Sequence, residues 1–495
     1  MALVAGIDSS TQSCTVVLRD ADDGQIVAVH GAPHPRTTPP VSEQSPEAWW
    51  TALREAFTAA GPTARASVVA ICVDAQAHGL VPLDANHEVI RPAKLWNDTT
   101  SAGEAQELVA RLGRQEWATR AGSVPVGAFT ISKLLWLARR EPEAFARLAH
   151  VLLPHDWLTY RLTGQLLTDP GDASGTGYYN PSEGAWRPEL LAMVDPDVDW
   201  SDRLPRVLGP DEAAGPINPV AATQLGLSPG IVVGPGTADN QAAAVGMGVT
   251  TGDVVVSLGT SGVVYTRSEA PVIDPSGAVN GNADATRAYL PVVCTLNAAK
   301  VTDTFARLLG VDHTGLAELA LAAPPNPERP VLAAFLDGER VPDRPHASGT
   351  LTGLRSDTTR EDIARAAYEG VLAGLLAGLG VLGRLGVPVD GRLAVTGGGA
   401  RSAAYRQFLA DLSGRPVHVV DHAETAASGA AVQAAAVLHG TTVTDVAARW
   451  APPWRVVAGP RLDTSPVDLL ARYEALSHWS DLETPSVTAP LHKEH

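Results

Sequence analysis

Two stretches, one in each half of the chain, repeat the same order of strand, short polar turn and strand. The first is VAGIDSSTQSCTVVLR at residues 4–19, and the second is GDVVVSLGTSGVVYTR at residues 252–267. In each, two apolar runs flank a turn of small and hydroxyl-bearing residues, which is typical of a β-hairpin. Each turn holds a threonine, Thr11 or Thr260. The repetition predicts two domains of one fold, although two unrelated hairpins would produce the same pattern.

The first 120 or so residues indicate a layered α/β domain. After the first hairpin, GQIVAVHGA predicts a third strand. The segment SPEAWWTALREAFTAA predicts a helix, with Ser45 as N-cap and Pro46 at the first helical position. The apolar run ASVVAICVDA then predicts a buried strand. This order of elements is typical of a mixed sheet with helices packed against it.

The composition bounds the size and the partners of the protein. The 495 residues are 45% hydrophobic and 18% charged, which is a globular balance with enough material for two large domains. The net charge of -17 argues against binding to nucleic acid or to an anionic membrane, since both need a basic surface. We therefore expect neither a nucleic-acid partner nor a membrane partner.

The cysteines and the chain ends predict a cytoplasmic protein. Cys14, Cys72 and Cys294 are far apart and form no CxxC pair, so we expect free thiols in a reducing compartment. The N-terminus lacks the basic region and the long apolar region of a signal peptide. The longest uncharged apolar stretch, residues 370–383, is shorter than the ~20 residues that span a bilayer, and it predicts a buried helix. Residues 481–495 predict a flexible tail.

Three turns have the composition of a phosphate-binding loop. They are DSSTQS at residues 8–13, LGTSG at residues 258–262 and TGGGARS at residues 396–402. Backbone N–H groups and hydroxyls in such turns can surround a phosphate, and glycine lets a nucleotide lie directly on the backbone. No GK[ST] follows the glycines, so this is not a Walker loop. Together the three turns favour a nucleoside triphosphate as ligand.

Polar residues that suit a polyhydroxylated ligand follow two segments of the first half. CVDAQAHGLVPLD places Gln76 and His78 after a buried strand, and AKLWNDTT places Trp96, Asn97 and Asp98 in a row. An apolar ring face next to several hydrogen-bonding groups is what a sugar requires. The alternative is that His78 is a satisfied structural histidine.

A carboxylate at the end of the first predicted strand, Asp8, can hold Mg²⁺ as phosphoryl transfer requires. The alternative is a turn-forming aspartate that bonds its own backbone. Another acid, Asp239, lies among apolar and small residues in IVVGPGTADNQAAAVGMG at residues 231–248. The run Ile231–Val233 predicts a buried strand, and the small residues that follow predict a closely packed helix. Burying an unpaired charge there is costly, so Asp239 needs a functional or a structural reason, such as capping that helix.

Several segments, taken together, resemble the FGGY carbohydrate kinases. They occur in order from about residue 4 to about residue 440, which is nearly the whole chain. Within the family, the pair QAHG and LWND is most similar to the xylulose kinases. The segments are GIDSSTQS, LWND, FTISKLLWLARRE, LLPHDWLTYRLTG, VSLGTSG, DGERVP, GTLTGLRSDTTREDIARAAYEG and TGGGARS.

The resemblance implies an α/β fold of two ribonuclease-H-like domains, of the actin and hexokinase type, facing an interdomain cleft. Residues 1–246 would form the sugar side and residues 247–480 the ATP side. The implied substrates are ATP and a small sugar, and the implied metal is Mg²⁺. A homodimer is the expectation from the general frequency of such dimers.

The resemblance also implies roles for single residues. Asp239 aligns with the family's catalytic base and would accept the proton of the sugar hydroxyl that attacks the γ-phosphoryl group. The implied metal residue is Asp8. The implied sugar-binding residues are Ala77, His78, Trp96, Asn97, Asp98, Asp239 and Asn240. The implied nucleotide-binding residues are Thr11, Gln12, Gly259, Thr260, Gly398 and Gly399.

The expected reaction is the conversion of D-xylulose to D-xylulose 5-phosphate. Three departures from the family pattern, Asp74, Ala77 and Ala238, leave another pentulose, a hexulose or a sugar alcohol open as substrate. A rival of another class is a non-catalytic actin-like protein that binds nucleotide as a sensor. Retention of Asp8, Asp239 and the glycine turns favours the enzyme.

Overall fold

The computed structural model describes residues 1–324, 326–421, 424–461 and 466–479. These residues form two units. Unit 1 consists of Met1–Thr251, Arg267–Pro291 and Val420–Pro453, and unit 2 consists of Gly252–Thr266, Val292–Val419 and the described residues from Trp454 onward. The predicted division at residues 246 and 247 stays a prediction, and the predicted tail, residues 481–495, lies outside the described residues.

The strands and helices follow one another in a mixed order. The strands are β1 (Leu3–Ser9), β2 (Ser13–Asp20), β3 (Ile26–Pro33), β4 (Glu43–Gln44), β5 (Val68–Ala75), β6 (Val81–Leu83), β7 (Ala93–Lys94), β8 (His150–Leu152), β9 (Leu167–Thr168), β10 (Tyr179–Asn180), β11 (Ala185–Trp186), β12 (Arg206–Val207), β13 (Gly215–Pro216), β14 (Val232–Val233), β15 (Thr237–Ala238), β16 (Val254–Leu258), β17 (Gly262–Thr266), β18 (Asn280–Ala283), β19 (Tyr289–Thr295), β20 (Val331–Ala333), β21 (Thr350–Thr352), β22 (Leu393–Thr396), β23 (Val417–Val420) and β24 (Trp454–Ala458).

The helices are α1 (Pro46–Ser67), α2 (Ala102–Leu112), α3 (Arg114–Ala121), α4 (Thr130–Arg140), α5 (Pro142–Ala146), α6 (Pro154–Thr163), α7 (Pro170–Ala173), α8 (Pro188–Leu191), α9 (Pro219–Leu225), α10 (Asp239–Met247), α11 (Ala299–Leu309), α12 (His313–Ala322), α13 (Arg360–Arg384), α14 (Ala403–Ser413), α15 (Thr425–His439), α16 (Val443–Trp450) and α17 (Pro466–Ser477). Short 3₁₀ turns lie at Ser201–Arg203 and Gly398–Arg401.

The sheet of unit 1 has the strand order β13-β14-β5-β1-β2-β3, with β15 also paired to β5. The first predicted hairpin is confirmed, because β1 and β2 are antiparallel neighbours. Strand β5 runs parallel to β1, and β14 and β15 run parallel to β5. The carboxyl ends of β1, β5 and β15 therefore meet at one edge of the sheet.

Helices cover the sheet of unit 1. The predicted helix α1 begins with Pro46 and buries Trp49, Leu53 and Phe57 in one apolar core with β2 residues. Ser45 precedes it as predicted but makes no side-chain cap. Because these side chains come from an apolar stripe at helical spacing, burying them fixes which side of α1 faces the sheet.

Small residues allow α10 and α15 to approach closely within unit 1. A Cβ atom added at Gly246 would lie 1.9 Å from the carbonyl oxygen of Thr425, and one added at Gly429 would lie 1.8 Å from that of Ala242. A Cβ atom at Gly6 of β1 would lie 1.8 Å from the carbonyl oxygen of Ala427. No real side chain fits at such distances, so the glycines set the packing. This confirms that the small-residue stretch after Asp239 forms a closely packed helix.

The sheet of unit 2 contains the strand order β19-β17-β16-β22-β23-β24. The second predicted hairpin is also confirmed, because β16 and β17 are antiparallel with Leu258 opposite Gly262. Strand β22 runs parallel to β16. The loops that follow β16 and β22 therefore leave the sheet at the same edge.

Helix α13 is longer than the apolar stretch at residues 370–383 suggested. By length and composition its 25 residues could cross a membrane, but 67% of its most apolar window is buried inside the protein. Its buried Arg365 and Glu369 form an ion pair of 2.8 Å, and Glu369 also pairs with the buried Arg329 at 2.7 Å. Satisfied buried charges on a mostly buried helix fit the core helix that the sequence predicted.

All three cysteines are free thiols, as predicted. Cys14 and Cys72 are buried, and Cys294 is partly buried.

Candidate active site

Three carboxylates gather at the edge of the unit 1 sheet where the parallel strands end. Asp8 near the end of β1 lies opposite Asp74 near the end of β5. Asp239 begins α10 directly after β15, which pairs with β5 through Thr237 and Asp74. Parallel strands bring their carboxyl ends together, which is where ligands bind in open α/β sheets. The sheet register, rather than any local motif, makes these three acids neighbours.

The surroundings of the three carboxylates favour their neutral forms. Burial raises the pKa of Asp8 to about 7, with a further contribution from the charge of Asp239. Burial, together with the charges of Asp8 and Asp239, raises the pKa of Asp74 well above its usual range. Burial also raises the pKa of Asp239 to about 6, and the charge of Asp172 adds to this effect. Three ionised carboxylates close together and out of water would be unfavourable, so their charge needs to be compensated by a bound cation or by a proton.

Asp8 and Asp74 provide oxygens that suit a divalent cation. The two carboxyls lie within hydrogen-bonding reach of each other. Apart from that contact, Oδ1 of Asp8 and both oxygens of Asp74 are buried and accept no hydrogen bond from any other residue that the structure describes. No group of three or more histidine, cysteine, aspartate or glutamate side chains is arranged to hold a metal within the described ranges. A cation here would depend on non-protein ligands as well, which is usual for Mg²⁺.

Asp239 is held at the beginning of α10. Its Oδ1 accepts hydrogen bonds from the backbone N–H of Asn240 at 2.7 Å and from Nδ2 of Asn240 at 2.9 Å. The residue in the N-cap position is Ala238, so the alternative that Asp239 caps the helix is wrong. The partial positive charge of the helix N-terminus stabilises the carboxylate form. The result is an oriented carboxylate with its pKa close to the physiological range.

The predicted sugar residue His78 is fixed on two sides. Its Nδ1 lies 2.7 Å from the carbonyl oxygen of Gly175, and its ring stacks on Phe129 with centroids 4.9 Å apart. Because a carbonyl can only accept, Nδ1 carries the proton in this contact. The backbone of His78 has a left-handed φ of 65°, which is unusual for a residue with a side chain.

A buried lysine holds the backbone of the same turn. Nζ of Lys133 donates to the carbonyl oxygens of His78 at 2.6 Å and Ala128 at 2.5 Å, and the Thr130 hydroxyl also donates to His78. Burial lowers the pKa of Lys133 well below its usual range. Nothing around Lys133 in the segment FTISKLLWLARRE marks it as a functional residue. Its role depends on a contact with His78, which is 55 positions away, and a single sequence has no local signal for such a contact.

The structure joins Thr11 of the first hairpin to the predicted sugar residues. Nε1 of Trp96 donates to the Thr11 hydroxyl at 2.9 Å, and that hydroxyl donates to Oε1 of Gln76 at 3.3 Å. The neighbouring Gln12 is exposed. Ala77 is partly exposed beside His78. These residues, from three separate segments, therefore lie in one place within unit 1.

Asp98 and Asn97 differ in how their oxygens are used. Asp98 is buried and accepts from the Ser42 N–H, from the N–H and hydroxyl of Thr100, and from Nζ of Lys94 at 3.0 Å. Burial would raise the pKa of Asp98, but these hydrogen bonds hold it below its usual range. By contrast, the buried Oδ1 of Asn97 has no hydrogen-bond partner within the described part of the chain. Asp98 therefore fixes this turn, and Asn97 offers an acceptor to a ligand.

The predicted nucleotide residues of unit 2 lie together at the edge where β16 and β22 end. Gly259 follows β16, and Gly398 and Gly399 follow β22. A Cβ atom on Gly399 would lie 2.6 Å from Cβ of Leu258, whereas one on Gly398 would meet nothing within 4 Å. The backbone of Gly398 is therefore open to a ligand, and Gly399 packs against the end of β16. Thr260, in the hairpin turn, is exposed.

A buried histidine surrounded by acids was missed by the sequence analysis. His155 of α6 is fully buried, with Nδ1 2.8 Å from Oδ2 of Asp172. Its Nε2 lies 3.2 Å from Oδ1 of Asp156 and 3.8 Å from Oδ1 of Asp169. Two of these acids, Asp169 and Asp172, belong to the segment TDPGDASGTG. The available signal was an HD pair at residues 155–156, followed by two acids three residues apart at residues 169 and 172.

Comparison with known proteins gives consistent matches along the chain. Residues 3–246 match the N-terminal domain of the FGGY family of carbohydrate kinases, and residues 254–438 match its C-terminal domain. Xylulose kinases from Streptomyces coelicolor and Streptomyces rubiginosus are each 44% identical over 93% of this chain and 92% of their own length. The crystal structure of xylulose kinase from Bifidobacterium adolescentis is 38% identical, with a TM-score of 0.86 over 97% of this chain and 99% of that one. The predicted α/β fold with two sheet-based domains is confirmed.

Proposed function

Because this chain belongs to the FGGY family of carbohydrate kinases, we propose that it transfers the γ-phosphoryl group of ATP to D-xylulose and forms D-xylulose 5-phosphate. The observation that carries this conclusion is the 44% identity to two xylulose kinases over 93% of the chain. An identity of that size along nearly the whole length supports the same reaction and the same class of substrate.

We assign the role of general base to Asp239. Phosphoryl transfer to an alcohol needs a group that accepts the hydroxyl proton as the oxygen attacks. Asp239 lies at a helix N-terminus, is oriented by Asn240, and has its pKa raised to about 6 mainly by burial. A carboxylate with this pKa is ionised at neutral pH and is basic enough to hold a proton during the transfer.

We assign sugar binding to the group around His78 in unit 1. Oδ1 of Asn97 suits a sugar hydroxyl donor, the ring of His78 is fixed beside Gly175, and Asn240 adds an amide next to the base. The indole of Trp96 offers an apolar face, and the small Ala77 leaves room beside it. Asp98 contributes by holding the turn through Ser42 and Thr100, rather than by a free carboxylate oxygen.

We assign nucleotide binding to the glycine turns. Gly398, Gly399, Gly259 and the hydroxyl of Thr260 lie at one edge of the unit 2 sheet, and the open backbone at Gly398 suits the adenosine part. In unit 1, Thr11 and the exposed Gln12 are assigned to phosphate contacts.

Mg²⁺ fits the Asp8 position because Oδ1 of Asp8 is buried without a donor other than the neighbouring Asp74 carboxyl among the described residues. We propose that Asp8 holds the ion. When bound, Mg²⁺ neutralises part of the charge on the ATP phosphates. Asp239 still has to take the proton from the sugar, and the packed surroundings of the site still have to limit the access of water.

We further propose a cytoplasmic location, a small sugar as the partner, and a homodimer in solution. The free thiols support the first point, and membership of a carbohydrate kinase family supports the second. The mass by light scattering tests the third.

The test is ADP release from Mg-ATP with D-xylulose, measured for the wild type and for Asp239→Asn. This substitution keeps the shape of the side chain and removes its basicity, so we expect kcat to fall about 10²–10⁴-fold. The matched control is Asp22→Asn in an exposed turn, which should leave kcat unchanged. Activity that survives in Asp239→Asn would refute the base and keep the kinase.

A panel of sugars separates the remaining alternatives. Turnover with another pentulose, a hexulose or a sugar alcohol, but not with D-xylulose, would refute the proposed substrate and direct attention to Asp74 and Ala77. ATP binding without turnover on any sugar would support the non-catalytic alternative.

A further inference from the structure

The buried His155 lies at the centre of a group of three carboxylates in unit 1. Nδ1 donates to Oδ2 of Asp172 at 2.8 Å, and Nε2 forms an ion pair with Asp156 at 3.2 Å. Asp169 lies 3.8 Å from the same nitrogen. Burial would lower the pKa of His155, but the three acids raise it to about 9, so the ring is a cation at neutral pH. A buried, charged imidazole ring binds its carboxylate partners strongly, because loss of one partner leaves a buried charge unpaired.

One side of this group is bonded to the segment that leads to Asp239. Oδ2 of Asp169 accepts a hydrogen bond from the Thr237 hydroxyl at 2.7 Å, and Thr237 lies two residues before Asp239. Nε2 of Gln241, in the first turn of α10, donates to the carbonyl oxygen of Gly171 at 3.2 Å. Residues on both sides of Asp239 are therefore tied to residues 169–171.

Residues 169–175 contact His78 at their other end. The carbonyl oxygen of Gly175 accepts from Nδ1 of His78 at 2.7 Å, and a Cβ atom at Gly175 would lie 2.3 Å from that nitrogen. Between the two ends lies α7, whose first turn is capped by Asp169 through the N–H groups of Gly171 and Asp172. We call Asp169–Gly175 the bridging segment, because it contacts His78 as well as Thr237 and Gln241 on either side of Asp239.

We propose that His155 is a positioning residue: by holding Asp172, it anchors the bridging segment and thereby sets the geometry between Asp239 and His78. The inference rests on the proposed function, because it takes Asp239 as the base and His78 as a sugar contact. His155 itself is too deep to touch substrate, and the charged groups that face it are Asp156, Asp169 and Asp172. The groups whose charges act with that of Asp239 are Asp8, Asp74 and Asp172.

The two nitrogens of the ring allow a matched pair of substitutions. An asparagine amide can occupy the place of Nδ1, and a glutamine amide can occupy the place of Nε2. Both His155→Asn and His155→Gln remove the positive charge, but only His155→Asn keeps a donor toward Asp172. We expect His155→Gln to lower kcat and to raise the KM for D-xylulose, with a loss in kcat/KM of about 10²-fold, because misplacement by about 1 Å costs that much. His155→Asn should lose at least fivefold less, on the order of the hydrogen bond it retains.

A second pair tests the link to the base without touching the buried charge. Thr237→Val removes the hydroxyl that donates to Asp169 and should lower kcat with little change in the KM for D-xylulose. Thr237→Ser keeps the hydroxyl and should recover most of kcat. Each variant is checked by its melting temperature, and the exposed-site variant Asp22→Asn serves as the unaffected control.

The inference is overturned if the two His155 variants lose activity equally, or if Thr237→Val matches Thr237→Ser. If the His155 variants do not fold, the Thr237 pair alone decides. Failure of the proposed function has a different signature: Asp239→Asn would retain activity if the base assignment is wrong, and the wild type would phosphorylate no sugar if the kinase assignment is wrong.

Discussion

The raised pKa of Asp239 predicts an acid limb in the pH dependence of the reaction. The base works only when ionised, and burial raises its pKa from 3.8 to about 6. Activity should therefore be lost as the pH falls through about 6. At pH 7 about nine tenths of Asp239 is ionised and at pH 5 about one tenth, so kcat/KM for D-xylulose should fall about tenfold between them. With an ordinary pKa of 3.8 the ionised fraction would stay at about nine tenths at pH 5.

The assay is kcat/KM for D-xylulose at saturating Mg-ATP, from pH 5 to pH 8, at constant ionic strength and with the coupling enzymes in excess. Asp8 also titrates, since burial raises its pKa to about 7, and its protonation would weaken binding of Mg²⁺. Repeating the series at tenfold higher Mg²⁺ separates the two groups, because a limb that comes from Asp8 should move further than a limb that comes from Asp239. A profile that stays flat down to pH 5 would refute the reasoning.

Three further predictions follow from single contacts. Lys133→Met removes two donors at similar size, so the KM for D-xylulose should rise about tenfold as the turn at His78 loosens; an unchanged KM would contradict this role. Burial raises the pKa of Asp74, so above pH 4 ionisation of this carboxyl opposes folding, and the loss of stability grows as the pH rises. Asp74→Asn should therefore raise the melting temperature of the metal-free protein at pH 8 more than at pH 5. An equal shift at the two pH values would contradict this role of burial. Gly399→Ala places a Cβ atom 2.6 Å from Cβ of Leu258 at the end of β16, so it should cost about 1–3 kcal/mol of stability and raise the KM for ATP. Gly398 has open space around it, so Gly398→Ala should cost less than half of that free energy. Equal melting temperatures of the two variants would contradict this packing.

Local patterns in the sequence predicted the elements that carry the site. The hairpins at residues 4–19 and 252–267, the helix that begins at Pro46 and the buried strand that ends near Asp74 are all confirmed. They could be predicted because apolar periodicity, turn residues and proline position act through neighbours in the chain. For the same reason the sequence placed Asp8 at the end of a strand and Asp239 just before a helix of small residues.

What each side chain does within these elements depended on partners far away in sequence. The cap of α10 is Ala238 instead of Asp239, and Asp98, predicted as a ligand, has its oxygens taken by Ser42, Thr100 and Lys94. Whether such a hydrogen bond forms depends on which loops come into contact in the folded protein. The composition of one segment does not predict that contact.

The sequence by itself determined the family, the two sheet-based domains and the positions of the acids and glycines along their strands. Only the tertiary structure decided that Asp8 and Asp74 lie side by side, that Lys133 holds the turn of His78, and that His155 binds the bridging segment. The physical reason is that strand register and the pairing of buried charges are set by contacts between distant segments. The energy of such a contact depends on how completely the surrounding side chains exclude water from it, and those side chains come from several separate stretches of the sequence.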